Sequence, residues 1–225
     1  MHGYCVGQIQ EQNRKKINKT LFGLSIVLTP LLNSLIVLVI GKISSYESLK
    51  KIIDWLIENG VTMSISYIVT YAILFFLVDN YLWSMLLSKI LNIPNLGGIW
   101  EGTLISNFDD NTHNMTLKVK QTMTNISCLA TFDASSSSSE TAKIEYVSGN
   151  QIKLTYTYKN ISRQQELMQG EHYGYSQLFV SEGNDKLEMN GRYFTNRLRD
   201  EDNNTTGGTI KLTKVSKKKA KKQAS

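Results

Sequence analysis

Two long apolar segments near the start of the chain restrict its fold more than any other feature. Residues 21–40 contain no charged side chain, and neither do residues 61–78. A bilayer core of roughly 30 Å is crossed by about 20 helical residues, so each segment is long enough to span it. The first segment is too long for a typical signal peptide and has no obvious small-residue cleavage site, so we interpret it as retained. The sequence therefore predicts two membrane-spanning helices, at about residues 21–40 and 61–87.

Basic residues around these segments indicate their orientation. The outer flanks carry more of them than the intervening loop; the outer set is Arg14, Lys15, Lys16, Lys19 and Lys89, and the inner set is Lys42, Lys50 and Lys51. Because cytoplasmic flanks carry the excess of Lys and Arg, both termini are predicted in the cytoplasm and the loop outside. Within that loop, apolar residues recur at helical spacing over residues 49–56, which favours a short amphipathic helix on the membrane surface.

The remainder of the chain alternates apolar and polar residues with the period of a β-strand. Eight segments, rich in β-branched and aromatic residues, show this pattern: residues 99–106, 114–124, 126–133, 141–148, 151–159, 172–181, 186–196 and 208–215. Eight antiparallel strands of this length suit a barrel that holds one small ligand, with a two-sheet sandwich as the alternative. The predicted fold class is a membrane-anchored all-β protein, in which a two-helix transmembrane hairpin precedes an eight-stranded antiparallel up-and-down β-barrel.

These segments divide the chain into five predicted regions. They are a polar N-terminal arm (1–19), two transmembrane helices with an interfacial loop (20–91), a linker (92–98), a ligand-sensing barrel (99–215) and a lysine-rich tail (216–225). Five of the six net positive charges lie in the tail, and a nearly neutral body argues against a surface for DNA or RNA polymers. Clustered lysines near a membrane attract anionic lipids by about 1 kcal/mol each, and a solvated tail without a partner is the alternative.

Connection lengths distinguish the two ends of the predicted barrel. Connections after even-numbered strands are tight, whereas those after odd-numbered strands are long, at residues 107–113, 134–140, 160–171 and 197–207. Because alternate connections of an up-and-down barrel share an end, one end is predicted to be closed by hairpins and the other to carry the long loops. The linker from the second helix enters at the closed end. The open mouth is therefore predicted to point away from the membrane.

Catalytic chemistry finds no support in the sequence. It has no Gly-rich phosphate loop, no metal-binding spacing among its three histidines and no recognisable nucleophile motif. We therefore predict no enzymatic activity, no metal and no cofactor. Cys5 and Cys128 are the two cysteines and imply no disulfide framework, which agrees with a barrel in the cytoplasm.

Two strands carry residues suited to ligand binding. Tyr156 and Tyr158 share a face of the fifth strand, and Tyr193, Thr195 and Arg197 share a face of the seventh. Tyrosine stacks on a base and the arginine fork matches a phosphate, so this combination at a barrel mouth suits a small anionic nucleotide. Packing tyrosines and a solvated arginine are the alternative. The opposite facing of the seventh strand would instead turn inward Arg192, Phe194 and Asn196.

Each apolar segment also carries a stripe of small or polar residues spaced by four. The two stripes are Ser25, Thr29 and Asn33, and Thr62, Ser66 and Thr70. Such stripes allow close helix packing and interhelical hydrogen bonds worth around 1 kcal/mol in lipid. They predict polar contact between the two helices of one hairpin, or between helices of neighbouring protomers.

The whole layout resembles the membrane effectors of bacterial cyclic-oligonucleotide antiphage signalling (CBASS) systems, in which two N-terminal transmembrane helices carry a lipocalin-like eight-stranded barrel. The resemblance covers residues 20–215, chiefly through architecture. Local matches are GIWEG at residues 98–102, GRYFTNR at 191–197 and GTIKL at 208–212.

The resemblance implies an activity for each region. The barrel would bind a cyclic dinucleotide, made by a partner nucleotidyltransferase, as its activating ligand. Binding would drive homo-oligomerisation, and the helices would disrupt the bacterial inner membrane and abort infection. The alternatives are a membrane-tethered carrier of a hydrophobic ligand and an adaptor whose barrel binds a protein partner.

The match in the seventh strand also implies ligand contacts. These are Tyr193, Thr195, Asn196 and Arg197, and the loop geometry adds Tyr156, Tyr158 and Arg199. Trp100, in the first local match, is expected to fill the core at the closed end.

Overall fold

The computed structural model describes most of the chain. The described residues are 1–43, 47–58, 64–133, 135–147, 151–162, 172–183, 186–198 and 205–215. The chain forms two compact units. One is Gln12–Leu82, and the other combines Met1–Glu11 with Trp83–Ser225.

Long helices dominate the first part of the chain. The helical elements are α1 (Gln8–Ile43), α2 (Glu47–Glu58) and α3 (Tyr67–Leu77), which continues as a π-helix (Val78–Leu87) and a final turn (Ser88–Ile90). The continuous helices Gln8–Ile43 and Tyr67–Ile90 are long and apolar enough to cross a membrane, with mean hydropathies of 2.3 and 1.4 in their most apolar windows. The α2 segment is helical, as its spacing predicts.

Polar side chains join α1 to the start of α3. Thr29 Oγ1 donates a hydrogen bond to Thr70 Oγ1 at 2.9 Å. The Asn33 amide pairs with one backbone group, since its Nδ2 donates to Ile65 O at 3.0 Å and its Oδ1 accepts from Ile65 N at 2.7 Å. The predicted polar contact within the hairpin is therefore confirmed at Thr29, Asn33 and Thr70, while Thr62 lies outside the described residues.

Eight antiparallel strands form a closed barrel, as predicted. They are β1 (Gly98–Ser106), β2 (Thr112–Gln121), β3 (Asn125–Thr131), β4 (Ser135–Val147), β5 (Gln151–Ser162), β6 (His172–Glu182), β7 (Leu187–Leu198) and β8 (Thr205–Lys214). Each strand pairs with the next along the chain, and β8 pairs back to β1 with Ile210 opposite Leu104. Because the sheet closes on itself, the two-sheet sandwich is excluded.

The connection between β3 and β4 is short, so the predicted long loop at 134–140 is wrong. Strand β4 begins at Ser135 and runs through the whole serine-rich stretch. Ser137 is buried on the inner face, where Asn160 Nδ2 donates to its Oγ at 2.7 Å. Serine is typical of loops because its hydroxyl competes for backbone hydrogen bonds. Here an inward-facing amide binds that hydroxyl, and the strand continues.

Large apolar side chains fill the closed end of the barrel. Trp100 is fully buried, its Nε1 donates to Leu96 O at 3.0 Å, and Lys214 Nζ lies 5.2 Å from its ring centroid. Other fully buried residues of the barrel core are Leu117, Met123, Ile126, Leu154, Leu178 and Met189. The expectation that Trp100 fills this end is confirmed.

The first residues of the chain add to the barrel. Two short strands, His2–Gly3 and Cys5–Val6, pair with β3 and β4 respectively. Helix α1 then begins at Gln8, so most of the region predicted as a polar arm is helical. Tyr4 is buried between the two short strands, with only 6% of its surface exposed. An aromatic anchor of this kind explains why a mainly polar segment docks on the barrel.

Candidate functional site

A cavity of about 350 Å³ opens at the end of the barrel that carries the β1–β2 and β3–β4 connections. This end is the one predicted to be open. The aromatic part of its lining consists of Phe108, Phe132, Tyr156, Tyr158 and Tyr193. Small-molecule sites have volumes of about 300 to 1,000 Å³ and a few polar groups among apolar ones, so the cavity is of a suitable size and kind.

Five of the residues predicted from sequence meet in this cavity. Tyr156 and Tyr158 enter it from β5, and Tyr193, Thr195 and Arg197 enter it from β7. The two β5 rings contact each other, with centroids 6.1 Å apart and an interplanar angle of 54°. The sequence alternation alone therefore selects residues that the fold brings together.

The other two predicted residues, Asn196 and Arg199, are not among the described residues that line the cavity. Asn196 lies on the outer face of β7, where its Oδ1 accepts a hydrogen bond from Tyr173 N at 2.8 Å. Successive side chains of a strand point to opposite faces, so a strand that turns Thr195 and Arg197 inward turns Asn196 outward. The alternative facing of β7, which would turn Arg192, Phe194 and Asn196 inward, is therefore wrong. Arg199 lies outside the described residues.

Glycines on neighbouring strands make room for two of the tyrosines. Tyr158 lies directly opposite Gly174 of β6, and Tyr193 directly opposite Gly208 of β8. A Cβ at Gly174 would collide with the Tyr158 ring, and one at Gly208 would lie 2.9 Å from Tyr193 Cε1. Glycine within a strand often marks such a close approach. These glycines let the rings lie against the wall, which leaves the cavity open.

The cavity tyrosines stay neutral at physiological pH. Burial raises the pKa of Tyr156, Tyr158 and Tyr193. Hydrogen bonds with Ser176 and Ser106 lower the pKa of Tyr156 and Tyr193 respectively, without reversing the effect of burial. A neutral phenol both donates and accepts hydrogen bonds and does not repel an anion.

A polar patch adjoins these rings on β4 and β5. Asn160 is buried, and its Nδ2 donates to Ser137 Oγ at 2.7 Å and to Ser135 Oγ at 3.4 Å. These bonds fix the orientation of the amide, because its NH₂ group is held by the serines. Asn160 was not predicted as a site residue.

Thr206 carries a buried hydroxyl aimed at the same cavity. Only 4% of the residue is exposed, and within the described part of the chain its Oγ1 has no hydrogen-bond partner. The β7–β8 register shifts between Thr205 and Gly207: three β7 residues, 195–197, stand opposite the single β8 residue Thr206, so the irregularity lies in β7. Thr206 shares the inner face of β8 with Ile210, and an unpartnered buried hydroxyl costs about 1–3 kcal/mol. A ligand that accepts or donates one hydrogen bond there would remove that cost.

The rim of the cavity carries both signs of charge. The Arg197 guanidinium stacks on the Phe108 ring, with its central carbon 3.4 Å from the centroid. Asp109 Oδ2 lies 2.9 Å from His113 Nε2, and Asp109 Oδ1 accepts from Asn111 N at 3.2 Å. Partial burial would raise the pKa of Asp109, but its bonds with Asn111 and the charge of His113 hold it below its usual range. A planar, stacked guanidinium is suited to bind phosphate.

Metal-binding groups do not gather in the described part of the chain. There, no three or more His, Cys, Asp or Glu side chains lie close enough together to hold a metal ion. The cavity lining instead offers aromatic faces, neutral hydroxyls and a stacked guanidinium. Together they are suited to recognise a flat, hydrogen-bonding ring that bears an anionic group.

Fold and cavity together define a small-ligand-binding β-barrel that follows two long apolar helices. Residues 91–214, more than half of the chain, match the family model described as "Cap15, cyclic dinucleotide receptor domain". The chain belongs to this family, which confirms the resemblance to CBASS effectors. It is also similar to "CD-NTase-associated protein 15" of Yersinia aleksiciae, with 31% identity over 140 residues. That alignment covers 61% of this chain and 64% of the relative, so the chain spans less than two thirds of the relative's length.

Proposed function

We propose that this protein is an antiphage effector gated by a nucleotide. Its barrel binds a cyclic dinucleotide, made by a partner nucleotidyltransferase, and the bound protein oligomerises and disrupts the bacterial inner membrane. Family membership supports the class of ligand, and the two long apolar helices support a membrane location. The protein itself catalyses no reaction in this mechanism and uses no cofactor.

The observation that carries the proposal is the mouth cavity, with its aromatic lining and stacked arginine. A cyclic dinucleotide has two flat bases and two phosphodiester anions. The bases would lie against Tyr158 and Tyr193, and a phosphate would lie beside Arg197 at the rim. The unpartnered Thr206 hydroxyl offers a further hydrogen bond. Thr195 and Tyr156 complete the proposed contacts from the same inner faces.

Assembly is required because of the number of helices. One protomer contributes two apolar helices, which cannot enclose a pore by themselves. A ligand shifts a population toward an assembled state only by its difference in affinity for the two states, so the nucleotide must bind the assembled form more tightly. In the proposed topology both termini and the barrel lie in the cytoplasm, where the nucleotide is made.

Calorimetry on the full-length protein in lipid nanodiscs tests the ligand. The protein is titrated with a panel of cyclic dinucleotides that differ in bases and linkage, with linear dinucleotides of the same bases as matched controls. We expect saturable binding of at least one cyclic compound and much weaker binding of its linear form. Absence of binding by every cyclic compound would contradict the proposed ligand.

Dye-loaded vesicles test the membrane step separately. Full-length protein is reconstituted, and dye release is followed with the cyclic dinucleotide that binds in calorimetry and with one that does not. We expect release with the binder alone, together with larger species on chemical crosslinking. Vesicles that bind the nucleotide and stay sealed would overturn membrane disruption while leaving the receptor function intact.

A further inference from the structure

We propose that the barrel has a second binding site, a strand-docking seam between β3 and β4 at the closed end. Its ligand is a short extended peptide, and the occupant is the N-terminal segment of the same chain, residues 2–6, which we call the arm strand. The site lies outside the mouth cavity, and its assignment does not rest on the proposed nucleotide.

The seam exists because β3 and β4 separate toward the closed end. Their described backbone pairing runs from Thr131 opposite Ser136 to Leu129 opposite Ser138 and covers three residue pairs. The β4–β5 register then shifts between Ser139 and Thr141, which marks a bulge in β4. Bulges bend a strand away from its neighbour.

A side chain replaces the backbone partner at the point of separation. Cys128 N donates to Ser139 Oγ at 2.8 Å. The Ser139 hydroxyl in turn lies 2.7 Å from His2 Nε2, and His2 Nδ1 lies 3.0 Å from Gly3 O. Gly3 O can only accept, so Nδ1 donates to it, and the His2 ring bridges Gly3 and the Ser139 hydroxyl. The first arm residue is thus hydrogen-bonded to the bulge that opens the seam.

The arm strand fills both edges of the seam with backbone pairing. It runs antiparallel to β3, with His2 opposite Ile126 and Gly3 opposite Asn125. It then runs parallel to β4, with Cys5 opposite Lys143 and Val6 opposite Ile144. Unpaired strand edges bind extended peptides in this way, with backbone bonds for affinity and alternate side chains for specificity.

Tyr4 supplies the specificity. Its side chain is 6% exposed, its hydroxyl donates to Thr122 O at 3.2 Å, and it accepts from Gln121 Nε2 at 3.1 Å. A buried aromatic ring with a bonded hydroxyl is the usual anchor of a short peptide ligand.

Gln121 joins the arm strand to the linker that follows the second apolar helix. The same Nε2 donates to Pro94 O at 3.0 Å, and Gln121 Oε1 accepts from Leu96 N at 2.8 Å. The arm strand leads into α1, and the linker comes from the helix that ends at Ile90. One glutamine therefore contacts both segments that connect the barrel to the helices.

A disulfide trap in the full-length protein tests the docked position. Lys143→Cys places a thiol opposite the native Cys5, and paired residues of neighbouring strands lie within disulfide range. Burial raises the pKa of the Cys128 thiol to about 12, so that cysteine does not compete. The matched control is Lys211→Cys, an exposed position on β8.

Mild oxidation should convert most of the Lys143→Cys protein into an intramolecular disulfide, seen by mass spectrometry and a mobility shift without reductant. The Lys211→Cys protein should form little or none. Equal crosslinking of the two variants, or none in either, would overturn the docking site. Disulfide-linked dimers of Lys143→Cys alone would overturn the assignment of the occupant to the same chain.

A peptide experiment tests the seam as a binding site. A fluorescent peptide of residues 1–7 is titrated into nanodisc protein that lacks residues 2–6 and into the intact protein. We expect binding to the shortened protein, at least tenfold weaker binding to the intact protein, and at least tenfold weaker binding of the peptide with Tyr4→Ala. A well-folded shortened protein that does not bind the peptide contradicts the proposal, and if that variant fails to fold, the disulfide trap decides.

Discussion

The two ends of the barrel are built from the same eight strands and differ in what lies inside. At the closed end Trp100 and its apolar neighbours are fully buried, and even the indole N–H is hydrogen-bonded. At the mouth, tyrosines, serines and Asn160 surround a cavity of about 350 Å³. The two ends therefore have different roles. The closed end supplies stability and the chain connections, and the mouth supplies recognition. In the proposed mechanism, a ligand at the mouth is separated from both connections by the packed layer, so its effect would travel along the strands or between neighbouring barrels.

The largest expected effect comes from opening the closed end. Trp100→Ala removes a fully buried side chain and should lower the free energy of unfolding by about 3–5 kcal/mol. The thermal unfolding midpoint of the barrel, followed by near-UV circular dichroism, should fall by several degrees or more. A variant with an unchanged midpoint would contradict the stabilising role of this end.

Removal of the rim arginine should affect binding more than stability. Arg197→Ala removes a guanidinium that stacks on Phe108, and the loss of charge-assisted hydrogen bonds of about 1.5–3 kcal/mol predicts roughly 10- to 100-fold weaker nucleotide binding. The matched control is Arg192→Ala, on the exposed face of the same strand, which should bind normally. If calorimetry gives equal affinity for both variants, a hydrophobic-ligand carrier becomes the better interpretation.

A single methyl group at the wall should narrow the cavity. Gly174→Ala places a Cβ where the Tyr158 ring lies, so the ring must move inward. Overpacking typically costs about 1–3 kcal/mol, which predicts roughly 5- to 100-fold weaker binding at the mouth. The double variant with Tyr158→Ala should lose only the part of this strain that comes from the ring, as judged by its unfolding midpoint, because the added Cβ would still lie 2.6 Å from Phe194 O. Normal affinity of Gly174→Ala would show that the ring position does not define the site.

The smallest effect is expected from one hydroxyl. Tyr158→Phe keeps the ring and loses a neutral hydrogen bond of about 0.5–1.5 kcal/mol, which predicts roughly 2- to 10-fold weaker binding. Burial raises the pKa of Tyr158 above its usual value, so the phenol stays protonated throughout the neutral and mildly alkaline range. Between about pH 7 and pH 9, ionisation of Tyr158 should therefore cause no change in the affinity for the nucleotide. A loss of affinity over that range in the wild type, absent from Tyr158→Phe, would contradict a neutral phenol.

Strand periodicity was sufficient to predict the barrel, and it limited the facing of β7 to two alternatives, between which the structure decides. Met189 and Tyr193 are buried, whereas Phe194 is 52% exposed, as the first of the two facings requires. That pattern follows from a local rule, because alternate side chains always point to opposite faces. The same rule excludes Asn196 from the cavity. Asn196 counted among the predicted ligand contacts only because it belongs to the family motif at residues 191–197, and a motif does not show which face of the strand a residue lies on.

Features that depend on contacts between distant strands could not be predicted. The serine run of β4 looks like a loop until Asn160, on the next strand, is placed against it. Thr206 lies on the same face of β8 as Ile210, but β8 begins at Thr205, three residues before the predicted strand, so Thr206 fell in a predicted loop. Docking of Tyr4 requires the opening between β3 and β4. In each case the local sequence is compatible with the structure but does not require it.

The pairing of tyrosine with glycine across strands has a consequence for ligand selectivity. Gly174 and Gly208 have no side chain to contact a ligand, yet they determine how far two aromatic rings project into the available space. In the proposed site, a substitution at Gly174 would displace the Tyr158 ring and so change the space left for a base, while every proposed contact residue stayed the same. At Gly208 the added Cβ would also collide with Ile105 O and disturb the pairing of β8 with β1. We therefore expect ligand selectivity to depend on residues behind the rings as well as on those that contact the ligand.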